Sequence, residues 1–109
     1  MDLKKNTFNA FPIRFSLHHN GQEIARAFLY LIKNDLHDQP YGLLEDVFVQ
    51  EEWRSKGYGK QMVQAVIEEA KKRGCYKLIG TSRYQREKVH QFYLDVGFQD
   101  YGKEFRLNL

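Results

Sequence analysis

Apolar and polar positions alternate along the early part of the chain, and the period lengthens to that of a helix later on. Ile13, Phe15 and Leu17 are separated by polar residues, which predicts a strand. Asn20-Gly21 follows, a pair that tolerates positive φ at both positions and favours a two-residue hairpin turn. From Ile24 to Ile32 both sides are apolar. Ala25, Ala27, Leu29 and Leu31 fall on one side; Ile24, Arg26, Phe28, Tyr30 and Ile32 fall on the other. That predicts a strand largely covered on both faces. Asn34 to Gly42 reads as a loop, and Leu43 to Val49 as a third strand. These three strands predict an antiparallel meander.

A helix is predicted from about Gly57 to Arg73. Met62, Val63, Val66, Ile67 and Ala70 share one face, cations fill the last turn, and Gly74 supplies the stop. Tyr76 to Thr81 reads as a short strand, so strand, helix and strand form a parallel crossover. A second helix is predicted from about Arg86 to Asp95, with Val89, Phe92, Tyr93 and Val96 inward and Gly97 at its end. Phe98 to Leu109 reads as a last strand or hairpin. The predicted class is a mixed sheet with two main helices, α/β or α+β.

At 109 residues, 42% of them apolar, the chain predicts a single domain over 1–109 with a modest core. No apolar run reaches the ~18 residues of a membrane span, and the N-terminus lacks the apolar stretch of a signal peptide. A single cysteine excludes an internal disulfide, which fits a cytoplasmic protein. The net charge of +3 suits an anionic ligand and requires neither nucleic acid nor a membrane as partner. The histidines His18, His19, His37 and His90 have no metal-ligand spacing, so no metal is expected.

The strongest chemical signal is the run that follows Val47-Phe48-Val49. An apolar strand leads into Arg54-Ser55-Lys56-Gly57-Tyr58-Gly59-Lys60, and a helix opens there. Glycines let backbone approach an anion, and the first amides of a helix point at it unpaired. Arg54, Lys56 and Lys60 add charge. A diphosphate-bearing ligand fits; a plain turn before a helix is the structural alternative. The run is neither a Walker A loop nor the dinucleotide fingerprint.

Arg54-x-x-Gly57-x-Gly59 behind that strand resembles the acetyl-CoA signature of the GNAT superfamily of N-acetyltransferases. His90-Gln91-Phe92-Tyr93-Leu94-Asp95-Val96-Gly97-Phe98 is similar to the family's later motif, a helix bearing Phe-Tyr and closing with Gly-Phe. The two come in the family's order, and the likeness spans about Leu43 to Phe98. The resemblance implies a GNAT-type mixed sheet and acetyl-CoA as acyl donor. The donor's arm would lie along the strand through Phe48 and Val49, and its pyrophosphate on the amides from Ser55 to Lys60, Tyr58 included. It further implies direct transfer to a primary amine, such as a small amine, an amino sugar or a lysine side chain. A non-catalytic acyl-CoA sensor is the alternative.

An alkyl ammonium with a reference pKa of ~10.4 is charged at neutral pH, so a base must take its proton. Glu45 is the candidate, as base or as amine anchor, in Leu44-Glu45-Asp46-Val47, which resembles the central strand of diamine and amino-sugar-phosphate acetyltransferases. Its structural alternative is an ion pair with Arg14 or Arg26. In a regular strand Glu45 and Asp46 face opposite sides. Tyr93 matches the family's tyrosine acid and can protonate the leaving thiolate while its ring packs in the core. Arg86 stands where many relatives have asparagine; it meets the nucleotide's 3′-phosphate or only solvent. Cys75 reads as a small core residue and His90 as cleft-lining or exposed. Members of the family usually place a strand and two helices before the hairpin, whereas ten residues precede Phe11 here. The resemblance thus implies a shortened form whose open acceptor side could be filled by a second subunit, as a homodimer, or by a protein substrate.

Overall fold

The computed structural model describes residues 1–109. Its elements are β1 (Ala10–His19), β2 (Gln22–Ile32), β3 (Tyr41–Val49), α1 (Tyr58–Lys72), β4 (Leu78–Gly80) and α2 (Glu87–Asp95), with a 3-10 turn at Glu51–Trp53. The sheet order is β1-β2-β3-β4, with β1–β2 and β2–β3 antiparallel and β3–β4 parallel. The predicted meander and crossover are both present. The hairpin turns on Asn20 at φ 49° and Gly21 at φ 78°, the two positive angles that its sequence permits.

Register decides which face is covered. Ile13 pairs with Leu29, Phe15 with Ala27 and Leu17 with Ala25, so these six side chains share a face. Helix α1 lies on it with Met62, Val63, Val66 and Ala70, and Leu44 of β3 completes the buried cluster. The small Ala25 and Ala27 at the sheet centre let the helix approach closely.

The other face differs from expectation. Ile24 is buried, but Arg26, Phe28, Tyr30 and Ile32 of β2 are only half-buried, so this side is less completely covered than the side under α1. The cover on the second side comes from long side chains. The Arg14 guanidinium lies 5.4 Å from the centre of the Phe28 ring, and that of Arg26 lies 4.6 Å from the centre of Phe48. Apolar residues on both sides of a strand need not recruit two layers when arginine stems and cation–π contacts shield the second.

The predicted strand after Phe98 does not form. Residues 99–109 belong to no helix or strand, are exposed and make no backbone hydrogen bonds. A strand pattern fixes alternation but supplies no partner, and β4 beside it offers only three residues.

Leu29 is fully buried at the middle of the sheet. Leu29→Ala is expected to lower stability by about 2–5 kcal/mol, read as a lower urea midpoint with an unchanged slope.

Candidate active site

The site begins with an irregularity in β3. Arg26 pairs with Phe48 but Phe28 pairs with Glu45, so Asp46 and Val47 together oppose Ala27. Asp46 is the extra residue, at φ 52°. This is a β-bulge, which bends the strand and breaks the alternation expected across Glu45-Asp46. On the opposite edge, β4 pairs with β3 at Gly42, Leu43 and Leu44 and then stops. Beyond Leu44 the strands part, and β3 presents unpaired backbone to a notch. An extended ligand can hydrogen-bond there as a strand would.

The notch leads to the N-terminus of α1. Gly57 is the N-cap at φ 88°, a left-handed conformation in which glycine is nearly free of strain, and Ser55 before it is at φ 61°. No side chain caps the helix. Gln61 is the first residue whose amide finds a helical carbonyl, that of Gly57 at 3.1 Å, so the amides of Tyr58, Gly59 and Lys60 stay free. They border a groove of about 410 Å³ lined also by Val49, Arg54, Phe92 and Val96.

Gly59 has no need of its own to be glycine. A Cβ there would sit 3.8 Å from Val49 Cγ2 and 3.9 Å from Phe92 Cζ, ordinary contacts. Glycine within a helix is about 1 kcal/mol less favourable than alanine. What the missing side chain leaves is room in the groove that the free amides border, the room an anion requires. The fit to a diphosphate rests on this geometry.

Tyr93 projects from α2 into the region where β3 and β4 separate. Its ring packs between Phe92 and Phe98, with centroids 5.7 and 5.2 Å away, and its Cζ would lie 3.7 Å from a Cβ on Gly80. Burial, and then the nearby charge of Glu45, push its phenol above the usual tyrosine value. It therefore stays protonated at neutral pH. Glu45 is half-buried, and its carboxylate has neither an ion pair nor a hydrogen bond. Arg14 is committed to Glu23, and Arg26 to the Phe48 ring, so the ion-pair alternative for Glu45 is absent. Burial first, then the charges of Asp46 and Glu104, raise the Glu45 carboxyl above its ordinary range.

The residues singled out in the sequence divide into two groups. Val49, Arg54, Ser55, Gly57, Tyr58, Gly59 and Lys60 line the groove together. Phe48 lies instead on the half-covered face of the sheet, between Arg26 and Arg54. Lys56 sits with its ammonium 5.3 Å from the Trp53 ring centre, and Arg86, at the far end of α2, is exposed and outside the groove lining. Arg54 is held in place by its Nε, which donates to the Val49 carbonyl at 2.8 Å. His90 turns away from the cleft: its Nε2 donates to the Arg83 carbonyl at 2.7 Å and braces the turn before α2. Cys75 has its thiol pushed up by burial, which disfavours the thiolate. Asp95 lines the groove without having been singled out, because nothing in its spacing distinguishes it from any polar residue of an amphipathic helix.

The sequence profile of the family described as acetyltransferase (GNAT) matches residues 5–98. The chain belongs to the GNAT acetyltransferase family. Among GNAT proteins it is 37% identical over 68 residues to a glucosamine 6-phosphate N-acetyltransferase of Trypanosoma brucei brucei. It is 30% identical over 67 residues to an aminoglycoside N(6')-acetyltransferase type 1 of Stenotrophomonas maltophilia. Each match covers 62% of this chain and 44% of the relative, so the matched region is less than half of either relative. A crystal structure of a Trypanosoma brucei acetyltransferase superposes with a TM-score of 0.84 at 29% identity, over 90% of this chain and 69% of that one. The GNAT-type mixed sheet with two helices is therefore the fold of this chain. No helix is long and apolar enough to cross a membrane.

Proposed function

We propose that this GNAT domain, comprising residues 1–109, transfers an acetyl group from acetyl-CoA directly to a primary amine. What supports the reading is an uncapped helix start on a groove that Val49 shares, with β3 unpaired beyond Leu44 and the Tyr93 phenol within reach of the Glu45 charge. The amides of Tyr58, Gly59 and Lys60 would hold the pyrophosphate, with Ser55 and Gly57 shaping the turn. The backbone of β3 from the bulge to Val49 would pair with the amides of the pantetheine arm. Acetyl-CoA supplies an activated thioester carbonyl.

The residues then divide the proton work. Glu45, unpaired and raised, accepts a proton from the acceptor ammonium, directly or through water. The freed amine forms the new N–C bond as the C–S bond breaks. Tyr93, kept neutral, gives its proton to the leaving sulfur, and the second proton shed by the nitrogen as the amide forms restores the phenol. The acceptor we favour is the amine of an amino sugar, because two relatives are named for acting on glucosamine 6-phosphate and on aminoglycosides. The test is a panel of amino sugars, polyamines and lysine peptides, with thiol release and mass of the product as readouts. Release of coenzyme A with acetylated product on an amino sugar supports the reading; silence across the panel with folded protein opposes it.

The raised carboxyl of Glu45 gives a pH signature. A base works when deprotonated, so kcat/KM should hold above the raised pKa and fall as pH drops through it. That acid limb should lie above the ordinary glutamate range, since burial and like charges shift it upward. Glu45→Gln should remove the limb and lower the rate about 10²-fold. An acid limb that persists unchanged in Glu45→Gln assigns the base elsewhere.

A further inference from the structure

The end of the sheet farthest from the start of α1 carries a pocket that the chemistry above does not use. Residues 33–40 link β2 to β3 there and meet the turn between α1 and β4. Two backbone bonds fasten loop and turn together. The Tyr76 amide donates to the Pro40 carbonyl at 3.1 Å, and the Gly42 amide to the Lys77 carbonyl at 2.9 Å. The Leu36 amide closes the loop on itself by donating to Asn34 Oδ1 at 2.9 Å. Between loop and turn lies a pocket of about 590 Å³, lined by Leu36, His37, Asp38, Gln39 and Tyr76. It is larger than the groove at α1 and within the usual range of small-ligand sites. The length of β3, about 25 Å, separates it from the Val49 end.

The pocket offers an aromatic wall, a hydrogen-bonding loop and a neighbouring cation. The His37 and Tyr76 ring centres lie 4.9 Å apart with the planes 34° from parallel. Tyr76 is 41% exposed and Leu36 81%, and neither joins the core. Asp38 and Gln39 add a carboxylate and an amide to the same lining. Lys77 stands next to it, its ammonium 5.0 Å from the Tyr41 ring centre and 5.2 Å from that of Tyr76. The ion pairs of the chain are Arg14–Glu23 and Arg73–Glu69, so Asp38 and Lys77 both lack a charged partner.

These groups limit what can bind. A wholly apolar ligand would bury Asp38 and Lys77 without compensation. A simple cation would meet Lys77 in front of the Tyr76 ring. A nucleotide answers all three features: its base stacks on an aromatic face, its phosphate meets an ammonium, and its N–H donors meet a carboxylate. Guanine alone among the bases presents two adjacent donors, N1–H and the N2 amino group, to one carboxylate. We propose that this pocket binds a guanine nucleoside monophosphate, with the base against Tyr76 and His37, Asp38 at its Watson–Crick edge and Lys77 at the phosphate. The proposal rests on a loop remote from the donor groove and stands whether or not the acetyltransfer reading holds.

Calorimetric titration of the whole chain with GMP tests it, with AMP and guanosine alongside. GMP should bind at one site per chain, about 10-fold tighter than AMP and about 10-fold tighter than guanosine. Asp38→Asn should erase the margin over AMP, and Lys77→Met the margin over guanosine. Tyr76→Leu should weaken all three by about 10-fold. GMP binding should persist in saturating acetyl-CoA. Folded wild-type protein that ignores GMP, AMP bound as tightly as GMP, or a margin that survives Asp38→Asn would each overturn the site. Displacement of GMP by acetyl-CoA would overturn it too, by placing the nucleotide in the donor groove. Asp38 is exposed and has no ion pair to lose, so if Tyr76→Leu misfolds, Asp38→Asn alone decides.

Discussion

Tyr93→Phe should retain acetyl-CoA affinity and lose about 10²–10⁴-fold in turnover. The substitution deletes one oxygen and keeps the ring between Phe92 and Phe98, so the packing that places α2 against the sheet survives. What disappears is the hydroxyl that burial and the charge of Glu45 keep neutral, the proposed donor to the leaving sulfur. Without it the sulfur must leave as a bare thiolate or find water, and the barrier rises. Calorimetry and thiol-release kinetics on the same preparation separate the two effects. Lost affinity together with lost turnover would make Tyr93 a packing residue. A non-catalytic acyl-CoA sensor would show no turnover before or after the change.

Gly57→Glu with Gly59→Glu should weaken acetyl-CoA binding by more than about 100-fold. The two positions contribute differently. Gly57 occupies a left-handed conformation, where a side chain costs about 1–2 kcal/mol of strain. Gly59 has helical geometry, and a Cβ there meets Val49 and Phe92 only at ordinary contact distance, so a side chain should leave the fold undisturbed and even favour the helix. A glutamate at 59 puts a carboxylate over the amides of Tyr58, Gly59 and Lys60, where a phosphate would go. The single variant Gly59→Glu therefore isolates the ligand effect: the same melting temperature as wild type, with affinity lost. Unchanged affinity in Gly59→Glu would remove the pyrophosphate from this helix start.

The sequence makes the scaffold of this site visible because each element has a local cause. Period-two alternation marks β1, Asn20-Gly21 marks its turn, and the 3.6-residue stripe from Met62 to Ala70 marks α1. The helix bounds lie within a residue of expectation at each end, since Gly57 and Gly74 stop the pattern from either side. The loop residues from Arg54 to Lys60 are legible for the same reason: their chemistry and their position in sequence coincide. What the sequence leaves open depends on pairing between distant segments. The bulge at Asp46 is set by register against β2, and nothing in Glu45-Asp46-Val47 alone announces it. Phe48 and Val49 are adjacent in sequence but fall on opposite faces, so only Val49 reaches the groove. Glu45 is left without a cation because Arg14 and Arg26 find other partners, a competition that spacing does not reveal. The strand pattern after Phe98 is real as alternation, but a strand also needs an edge to join, and its own chain leaves it apart from β4.

Titrating the wild-type chain with acetyl-CoA in a calorimeter bears most directly on the whole reading. Micromolar affinity with a stoichiometry of one per chain is the expected result, and it would make the notch and the helix start a working donor site. Folded wild-type protein that takes up no acetyl-CoA would contradict it, and the glycines at 57 and 59 would then be no more than the turn that opens α1.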